Sequence, residues 1–325
     1  MPLWYNIEVS SHCNLKCPYC PTGNGTIPMA HRGNITTENF NHIFNQIRPF
    51  AQVIQFFNWG EPFMHKNIYD FIETAHGAGI RTMISSNMTV RLFDEAELER
   101  LVNSGLTSLL ASIDGVKQEA YEAYRKNGDV SKALTNLENI EKTKKRLGSA
   151  TPHLIWAYYV NRHNEEQVPA ARRRAEKMGV PIWFKELSCP DDFQTHLIKT
   201  VPQLFAPPEN LAAKWPARHN PDLGKVTLDP RLPQVCNVCT MPFEIMIINY
   251  NGDVFPCTAV TEKHMVVGNL LNQSVEEIWG ARMAANRIQL LDTGTPVSAS
   301  QCKDCRHFKR IALNQIQRKP VLAGV

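Results

Sequence analysis

The stretch Ser11-His-Cys-Asn-Leu-Lys-Cys-Pro-Tyr-Cys-Pro-Thr-Gly23 places Cys13, Cys17 and Cys20 in a Cys-x3-Cys-x2-Cys run, directly after a short apolar strand pattern. Three thiolates on one tight loop suit a 4Fe–4S cluster, which takes four ligands. Because the run supplies only three, one iron is left to bind another molecule, and the pattern therefore indicates a reactive site. The alternatives are a zinc site or an iron–sulfur electron carrier, and both prefer four protein ligands in one place.

The spacing of these cysteines, with Tyr19 just before Cys20, resembles that of the radical S-adenosylmethionine (SAM) superfamily. The resemblance implies that SAM chelates the unligated iron and that an electron from the reduced cluster splits its sulfonium. The released 5′-deoxyadenosyl radical then abstracts hydrogen from an unactivated C–H bond. It also implies a backbone contact from Tyr19 to the adenine of SAM, and a flavodoxin- or ferredoxin-type electron donor.

Composition limits the classes of protein that the chain can belong to. Its 325 residues favour about two domains, and 43% hydrophobic with 20% charged residues is typical of a globular protein with a substantial core. A formal charge of +4 indicates neither a nucleic-acid nor a membrane partner, and no signal peptide or membrane-spanning run is found. Nine cysteines, mostly clustered, then predict metal ligands in a reducing cytoplasm and no disulfide framework.

Strand-like and helix-like patterns alternate up to about residue 187, which predicts a parallel sheet. Six such units, with the chemistry on loops that follow the strands, resemble the partial (β/α)6 TIM-like barrel of the radical SAM family, and the resemblance implies this α/β fold for residues 1–187. Thr37 and Ser131 are the expected helix N-caps. Predicted strands are Tyr5–Val9, Val53–Asn58, Arg81–Ser86, Ser108–Ile113, Leu154–Val160 and Pro181–Lys185. Predicted helices are Thr37–Ile47, Asn67–His76, Asp94–Asn103, Lys117–Arg125, Ser131–Arg146 and Glu165–Met178.

Motifs after the predicted strands strengthen the resemblance. Gly60-Glu61-Pro62 resembles the family's Gly-Glu-Pro motif, in which the glycine allows close backbone approach and the carboxylate accepts from the ammonium group of SAM. Ser85 and Asn87 lie where the family has polar groups near the ribose. The sequence Ser112-Ile-Asp114 is followed by Arg125. The resemblance implies that Ser112 contacts SAM and that the guanidinium group of Arg125 binds the carboxylate of SAM through two hydrogen bonds. Val160, after the fifth strand, is expected against adenine.

The second half of the chain begins with an irregular, proline-rich segment over residues 188–233, for which we expect a lid over the barrel mouth. Its aromatic residues are Phe193, Phe205 and Trp215. Residues 234–310 contain, in order, Cys236 and Cys239, Asn251-Gly-Asp253 with Pro256-Cys257, Gly268-Asn-Leu270 with Ile278-Trp279, and Cys302-x2-Cys305. Over residues 234–307 this order resembles the SPASM/twitch extension, and most closely its shorter form, which holds one auxiliary 4Fe–4S cluster. The extension contains a β-hairpin turned by Tyr250-Asn-Gly-Asp253 and a helix capped by Ser274. Residues 311–325 form a C-terminal tail.

Five cysteines compete for the four positions of the auxiliary cluster. The family pattern favours Cys239, Cys257 (inside the second hairpin strand), Cys302 and Cys305, while a four-cysteine zinc site made with Cys236 is the alternative. Cys236 and Cys189 are then either buried packing residues or hydrogen-atom donors to a substrate radical, and Cys236 is favoured as the donor because it neighbours the second cluster. Dehydrogenation also needs a catalytic base, which is expected near the strand ends. Its candidates, unranked, are Asp191, Asp192, Glu186, His163 and Tyr158.

These features predict a radical SAM oxidoreductase that acts as a dehydrogenase or an epimerase. The first strand begins close to residue 1, so no N-terminal peptide-recognition domain is expected, and this favours a small polyol, sugar or aminocyclitol as substrate. Modification of a ribosomal peptide or protein is the second hypothesis. The third is a non-catalytic zinc or iron–sulfur binding module, against which Gly60-Glu61-Pro62 and Arg125 both count.

Overall fold

The computed structural model describes residues 1–208, 241–261, 263–285 and 287. Within these residues, nine strands form one sheet in the order β6-β5-β4-β3-β2-β1-β7-β8-β9. The strands are β1 (Trp4–Ile7), β2 (Val53–Gln55), β3 (Arg81–Ser86), β4 (Ser108–Ser112), β5 (His153–Val160), β6 (Ile182–Glu186), β7 (Ile245–Ile248), β8 (Asp253–Phe255) and β9 (Gly268–Asn269).

Strands β1 to β6 run parallel, and a helix follows each of the first five. This arrangement confirms the predicted α/β partial barrel. The carboxyl ends of the parallel strands meet at one edge of the sheet, called the mouth below. The main helices are α1 (Thr37–Ile47), α2 (Ile68–Gly77), α3 (Glu95–Asn103), α4 (Gln118–Tyr124), α5 (Val130–Leu147) and α6 (Val168–Met178). Shorter helical turns span Met29–His31, Pro62–Met64, Glu165–Gln167, Leu197–Thr200, Pro202–Phe205, Met241–Glu244, Lys263–Met265, Val275–Glu277 and Ile278–Arg282.

The helices begin at side-chain caps, but two caps differ from the prediction. Thr36, not Thr37, caps α1, and Asp129, not Ser131, caps α5; each side chain accepts the backbone N–H three residues further on. Thr36 and Asp129 both have extended backbone, as an N-cap requires, whereas Thr37 and Ser131 are already inside their helices. Ser274 caps the last short helix as predicted and forms a capping box with Glu277.

The two faces of the sheet have different partners because successive side chains of a strand point to opposite sides. The outer face carries residues such as Ile7 and Ile84 and packs against α1 to α6 in the largest hydrophobic cluster. The inner face carries Trp4, Val53 and Met83, which form a second apolar cluster with residues of β7 and β8. Toward the mouth, polar residues replace the apolar ones on the inner face. These polar side chains line the candidate active site described below.

The hairpin β7–β8 is part of the same sheet as the barrel strands. Strand β7 pairs in parallel with β1, and β8 pairs antiparallel with β7 around the turn at Gly252, whose φ is +83°. The prediction that Cys257 lies inside the second hairpin strand is wrong. Strand β8 ends at Phe255, since Pro256 has no N–H to continue the ladder, and Cys257 follows two residues later.

The first part of the predicted lid, residues 188–208, packs against the barrel. Gln194 forms a bridge with Asn161 after β5, and Phe205 packs on the cluster between sheet and helices. Trp215 lies outside the described residues, and the segment boundaries at 188–233, 234–310 and 311–325 stay predictions. None of the helices described is both long and apolar enough to cross a bilayer.

Candidate active site

The three cysteines of the first motif lie on the loop that leaves β1 at the mouth. Cys17 is buried, while Cys13 and Cys20 are partly exposed, and none of them forms a disulfide. The loop folds back on itself: a Cβ added at Gly23 would lie 2.4 Å from the carbonyl oxygen of Cys17. Lys16 N–H also donates to the carbonyl of Lys126, 3.0 Å away, which ties the loop to the segment after α4.

The donor set suits a cluster better than a single metal ion. The charges of Cys17 and Cys20 both act on the pKa of Cys13, as expected for three thiols on one loop. Three thiolates fit a cube, because each binds a different corner iron. Burial raises the pKa of the Cys13 thiol to about 12, so cluster assembly must release protons.

The Gly60-Glu61-Pro62 loop contacts the cysteine loop directly. A Cβ at Gly60 would lie 1.8 Å from the carbonyl oxygen of Ser10, so only glycine fits there. Glu61 N–H donates to the carbonyl of His12 at 2.8 Å. The buried carboxylate of Glu61 accepts from the backbone N–H of Phe63 at 3.2 Å and of Asn87 at 2.8 Å. Burial raises the pKa of Glu61, and these donors oppose the rise. The carboxylate therefore joins the loops after β2 and β3.

Asn87 connects the loop after β3 to the cysteines. Its side-chain amide donates to Asn14 Oδ1 at 2.9 Å and lies 3.7 Å from Cys13 Sγ. Two residues earlier, the hydroxyl of Ser85 lies 3.4 Å from that of Ser112 on the neighbouring strand. The structure thus brings these predicted cofactor-binding residues to one place on the inner face, at the mouth.

A buried ion pair lies at the end of β4. Arg125 Nε donates to Asp114 Oδ2 at 2.5 Å, and Asp114 Oδ1 accepts from Tyr159 N–H at 2.7 Å. Asp114 is fully buried, and burial raises its pKa against the lowering effect of Arg125. The guanidinium also lies beside Cys17, whose thiol pKa burial raises and Arg125 lowers. The side-chain amide of Asn164 donates to the backbone carbonyls of Asp114 and Tyr159.

Tyr19 and Cys189 share an apolar cluster with the cysteine loop. The ring of Tyr19 lies nearly parallel to that of Tyr124, with centroids 6.2 Å apart, and edge-on to Phe193 at 5.0 Å. Cys189 is 3% exposed in this cluster and donates to the carbonyl of Leu187 at 3.5 Å. Cys189 and Phe193, in the segment after β6, therefore pack against the cysteine loop, and the lid itself stays a prediction.

Other predicted residues lie elsewhere. Val160 is buried in the outer cluster beneath the helices, so its side chain does not face the inner site, at variance with the expected adenine contact. Asp191 is exposed, and its backbone carbonyl accepts from Arg162. Cys257 is partly buried, and its sulfur accepts from Ala259 N–H at 3.2 Å.

Most of the expected ligands of the auxiliary cluster lie outside the described residues, and one candidate catalytic base does not face the inner site. Cys236, Cys239, Cys302 and Cys305 lie outside the described residues, so the auxiliary ligand set stays a prediction. Among the unranked bases, Tyr158 is fully buried on the outer face and donates to the carbonyl of Asn164.

Glu8 is a site residue that the sequence interpretation missed. It follows β1, is 2% exposed, and accepts from the N–H groups of Trp59 at 2.9 Å and Gly60 at 3.2 Å through Oε1. Burial raises its pKa to about 7, against these two donors and Arg32. An acidic residue between the apolar Ile7 and Val9 was the available signal.

Comparisons with known proteins agree with this geometry. Residues 7–169 match the model of the radical SAM superfamily, and residues 239–306 match that of the SPASM iron–sulfur cluster-binding domain. The AdoMet-dependent heme synthase of Methanosarcina barkeri is 24% identical over 84% of this chain and 80% of its own. The mycofactocin maturase MftC of Mycobacterium ulcerans is 24% identical over 94% and 81%.

Among solved structures, SuiB of Streptococcus suis bound to its precursor peptide SuiA aligns with a TM-score of 0.60 and 14% identity, over 97% of this chain and 73% of that one. This likeness shows a shared fold. Family membership implies a 4Fe–4S cluster that works with SAM and an auxiliary iron–sulfur cluster. The chain belongs to the radical SAM superfamily and carries a C-terminal SPASM domain.

Proposed function

We propose that this radical SAM enzyme removes hydrogen from a C–H bond of a small polyol, sugar or aminocyclitol and yields a dehydrogenated or an epimerised product. One observation supports the proposal: three features lie together at the barrel mouth. They are the cysteine loop, the hydrogen bond from Asn87 N–H to Glu61, and the Asp114–Arg125 ion pair. When bound, the cluster supplies one electron that cleaves SAM to a hydrogen-abstracting 5′-deoxyadenosyl radical.

The chain's own residues hold and orient the reactants. Cys13, Cys17 and Cys20 would ligate three irons, and Arg125, held by Asp114, would bind the carboxylate of SAM. Tyr19, together with Tyr124 and Phe193, covers the cysteine loop and limits access of water to it.

Cys189 is the candidate for completing an epimerisation. A thiol hydrogen transferred to the substrate carbon radical forms a C–H bond and leaves a thiyl radical on Cys189. An electron from a flavodoxin- or ferredoxin-type donor and a proton from solvent then restore the thiol. In dehydrogenation, a base would instead take a proton from the substrate radical, and the auxiliary cluster, which Cys239, Cys257, Cys302 and Cys305 are expected to hold, would supply the acceptor for its electron. The burial of Cys189 beside Tyr19 and the cysteine loop supports the first outcome.

Peptide modification is the second candidate function. The alignment with a mycofactocin maturase over 94% of this chain favours it, as does the fold shared with a protein that binds a precursor peptide. A non-catalytic binding module has no need of the buried Asp114–Arg125 pair next to the cysteines.

The test is SAM cleavage with panels of possible substrates. The anaerobically reconstituted enzyme is given SAM, a reductant and either polyols, sugars (sugar acids among them) and aminocyclitols or short peptides, and 5′-deoxyadenosine is measured. Stimulation by a member of the first panel is expected. Deuterium gained from heavy water, and lost with Cys189→Ala but kept with Cys236→Ala, would assign the donor. Stimulation by peptides alone would overturn the proposal in favour of peptide modification.

A further inference from the structure

A polar wall with aromatic faces lies on the inner face at the end of β5 and β6. The register pairs Tyr159 with Lys185, and Trp183 lies two residues before Lys185 on the same face. The ammonium group of Lys185 lies 4.4 Å from the ring centroid of Trp183 and 4.9 Å from that of Tyr159. All three side chains are partly buried, so the two rings hold the ammonium group in place at the mouth.

The charge of Lys185 is not neutralised by the surrounding residues. Among the residues that the structure describes, Lys185 has no carboxylate within ion-pair distance. Asp114 lies near enough for Lys185 to lower its pKa, but both oxygens of Asp114 already accept from other donors, Arg125 and the N–H of Tyr159. A partly desolvated cation of this kind favours an anion beside it.

The same wall carries a second donor without an acceptor. The indole Nε1 of Trp183 is buried and has no hydrogen-bond partner in the described part of the chain. An indole N–H can only donate, and a buried donor without a partner costs free energy. Trp183 packs against apolar residues of the inner face, Leu110, Ile155 and Ala157. The Lys185 ammonium group and the Trp183 indole N–H therefore favour a ligand that has acceptor oxygens and a negative charge.

We propose that Lys185 and Trp183 bind a carboxylate group of a ligand held at the barrel mouth. The inference rests on the proposed function, because it treats the mouth as the place where the reactants meet. The guanidinium carbon of Arg125 lies 5.9 Å from the centroid of the same Tyr159 ring. Arg125 is proposed above to bind the carboxylate of SAM, and the carboxylate at Lys185 is therefore proposed to belong to the second substrate. Within the sugar-derived class of the proposed function, that substrate is then a sugar acid or another carboxylate-bearing compound.

The test compares a carboxylate with its neutral isostere on the cluster-loaded enzyme. Binding of acetate and of acetamide is followed by ligand-detected NMR with saturating SAM, and the Kd of SAM is measured separately. Lys185→Met removes the charge but keeps a long chain on the rings, and Trp183→Phe removes the N–H donor while keeping an aromatic ring. Lys199→Met, on an exposed short helix, is the matched control.

Acetate is expected to bind more tightly than acetamide, and Lys185→Met to weaken acetate binding about tenfold while the Kd of SAM changes less than about twofold. If SAM displaces acetate and Lys185→Met weakens SAM by about tenfold instead, the carboxylate is that of SAM and the proposal is overturned. Equal binding of acetate and acetamide, or no effect of Lys185→Met on either ligand, would also overturn it. Release of 5′-deoxyadenosine by the wild-type enzyme without added acid tests the proposed function separately.

Discussion

Asp114 and Arg125 form a 2.5 Å ion pair in which the carboxylate is fully buried and the guanidinium side chain is 13% exposed. The pair lies beside Cys17, between the ends of β4 and β5. Asp114 thus fixes the position of the one arginine that the family resemblance assigns to SAM. The pair is a positioning device, and its loss should affect both stability and SAM binding.

Asp114→Asn should destabilise the protein strongly. It leaves a buried guanidinium without its counter-charge, which costs about 3–5 kcal/mol in comparable buried pairs. The unfolding temperature and the SAM affinity should both fall. The control is Asp70→Asn, which breaks the exposed pair with Arg100 and should cost at most about 1 kcal/mol. Equal effects of the two substitutions would show that Asp114 has no special role.

Gly60→Ala should abolish SAM binding while the rest of the protein stays folded. The added Cβ would lie 1.8 Å from the carbonyl oxygen of Ser10, so the loop must move away from the cysteine loop. Gly77→Ala, where nothing lies within 4 Å of the new Cβ, is the matched control and should leave binding intact. Normal SAM affinity in Gly60→Ala would contradict the packing of the two loops.

Glu8→Gln should change how stability depends on pH. The pKa of Glu8 is raised from 4.5 to about 7, so the folded protein binds this proton more tightly than the unfolded chain does. The resulting stabilisation is complete below about pH 4.5 and is lost as the pH rises through 7. A glutamine at this position cannot titrate, so the variant should gain up to about 3 kcal/mol over the wild type between pH 4.5 and about 8.

Urea unfolding midpoints across this pH range measure the effect. Glu119→Gln, at an exposed carboxylate, is the control and should follow the wild-type pH profile. Parallel profiles for wild type and Glu8→Gln would contradict the raised pKa.

Asn136→Leu should loosen the loop after β3. The buried Asn136 side chain accepts from Phe93 N–H and donates to the carbonyls of Met88 and Arg91. Leucine removes the partner of all three backbone groups, and the two buried ones, Phe93 N–H and the carbonyl of Met88, each cost about 1–3 kcal/mol. Hydrogen exchange of residues 87–93 should accelerate, whereas Asn103→Leu, an exposed position on α3, should leave it unchanged. Unchanged exchange in Asn136→Leu would show that the loop is held by other contacts.

Local patterns in the sequence were enough to predict the sheet and most of the mouth. The apolar periodicity predicted α1 with the bounds that the structure has, because this helix has one clear buried face. The predicted bounds of β3, which is buried on both faces, also agree with the structure. The cysteine run, Gly60-Glu61-Pro62 and Ser112-Ile-Asp114 each follow or end a strand, and the parallel topology necessarily brings such loops together.

Features that depend on contacts between distant residues could not be predicted in this way. The residues next to Glu8 in the sequence do not show that its carboxylate accepts a hydrogen bond from the N–H of Gly60, 52 positions away. Lys185 resembles any strand-end cation until the register places Tyr159 beside it. The family resemblance assigns Val160 to adenine, but strand alternation turns its side chain to the helix side.

The most direct test of the account is reductive cleavage of SAM by the anaerobically reconstituted protein. The reduced wild-type enzyme is expected to release 5′-deoxyadenosine and methionine. Cys17→Ser should release neither product, whereas Cys257→Ser should still release both. A wild-type protein that binds iron yet leaves SAM intact under strong reduction would contradict the account.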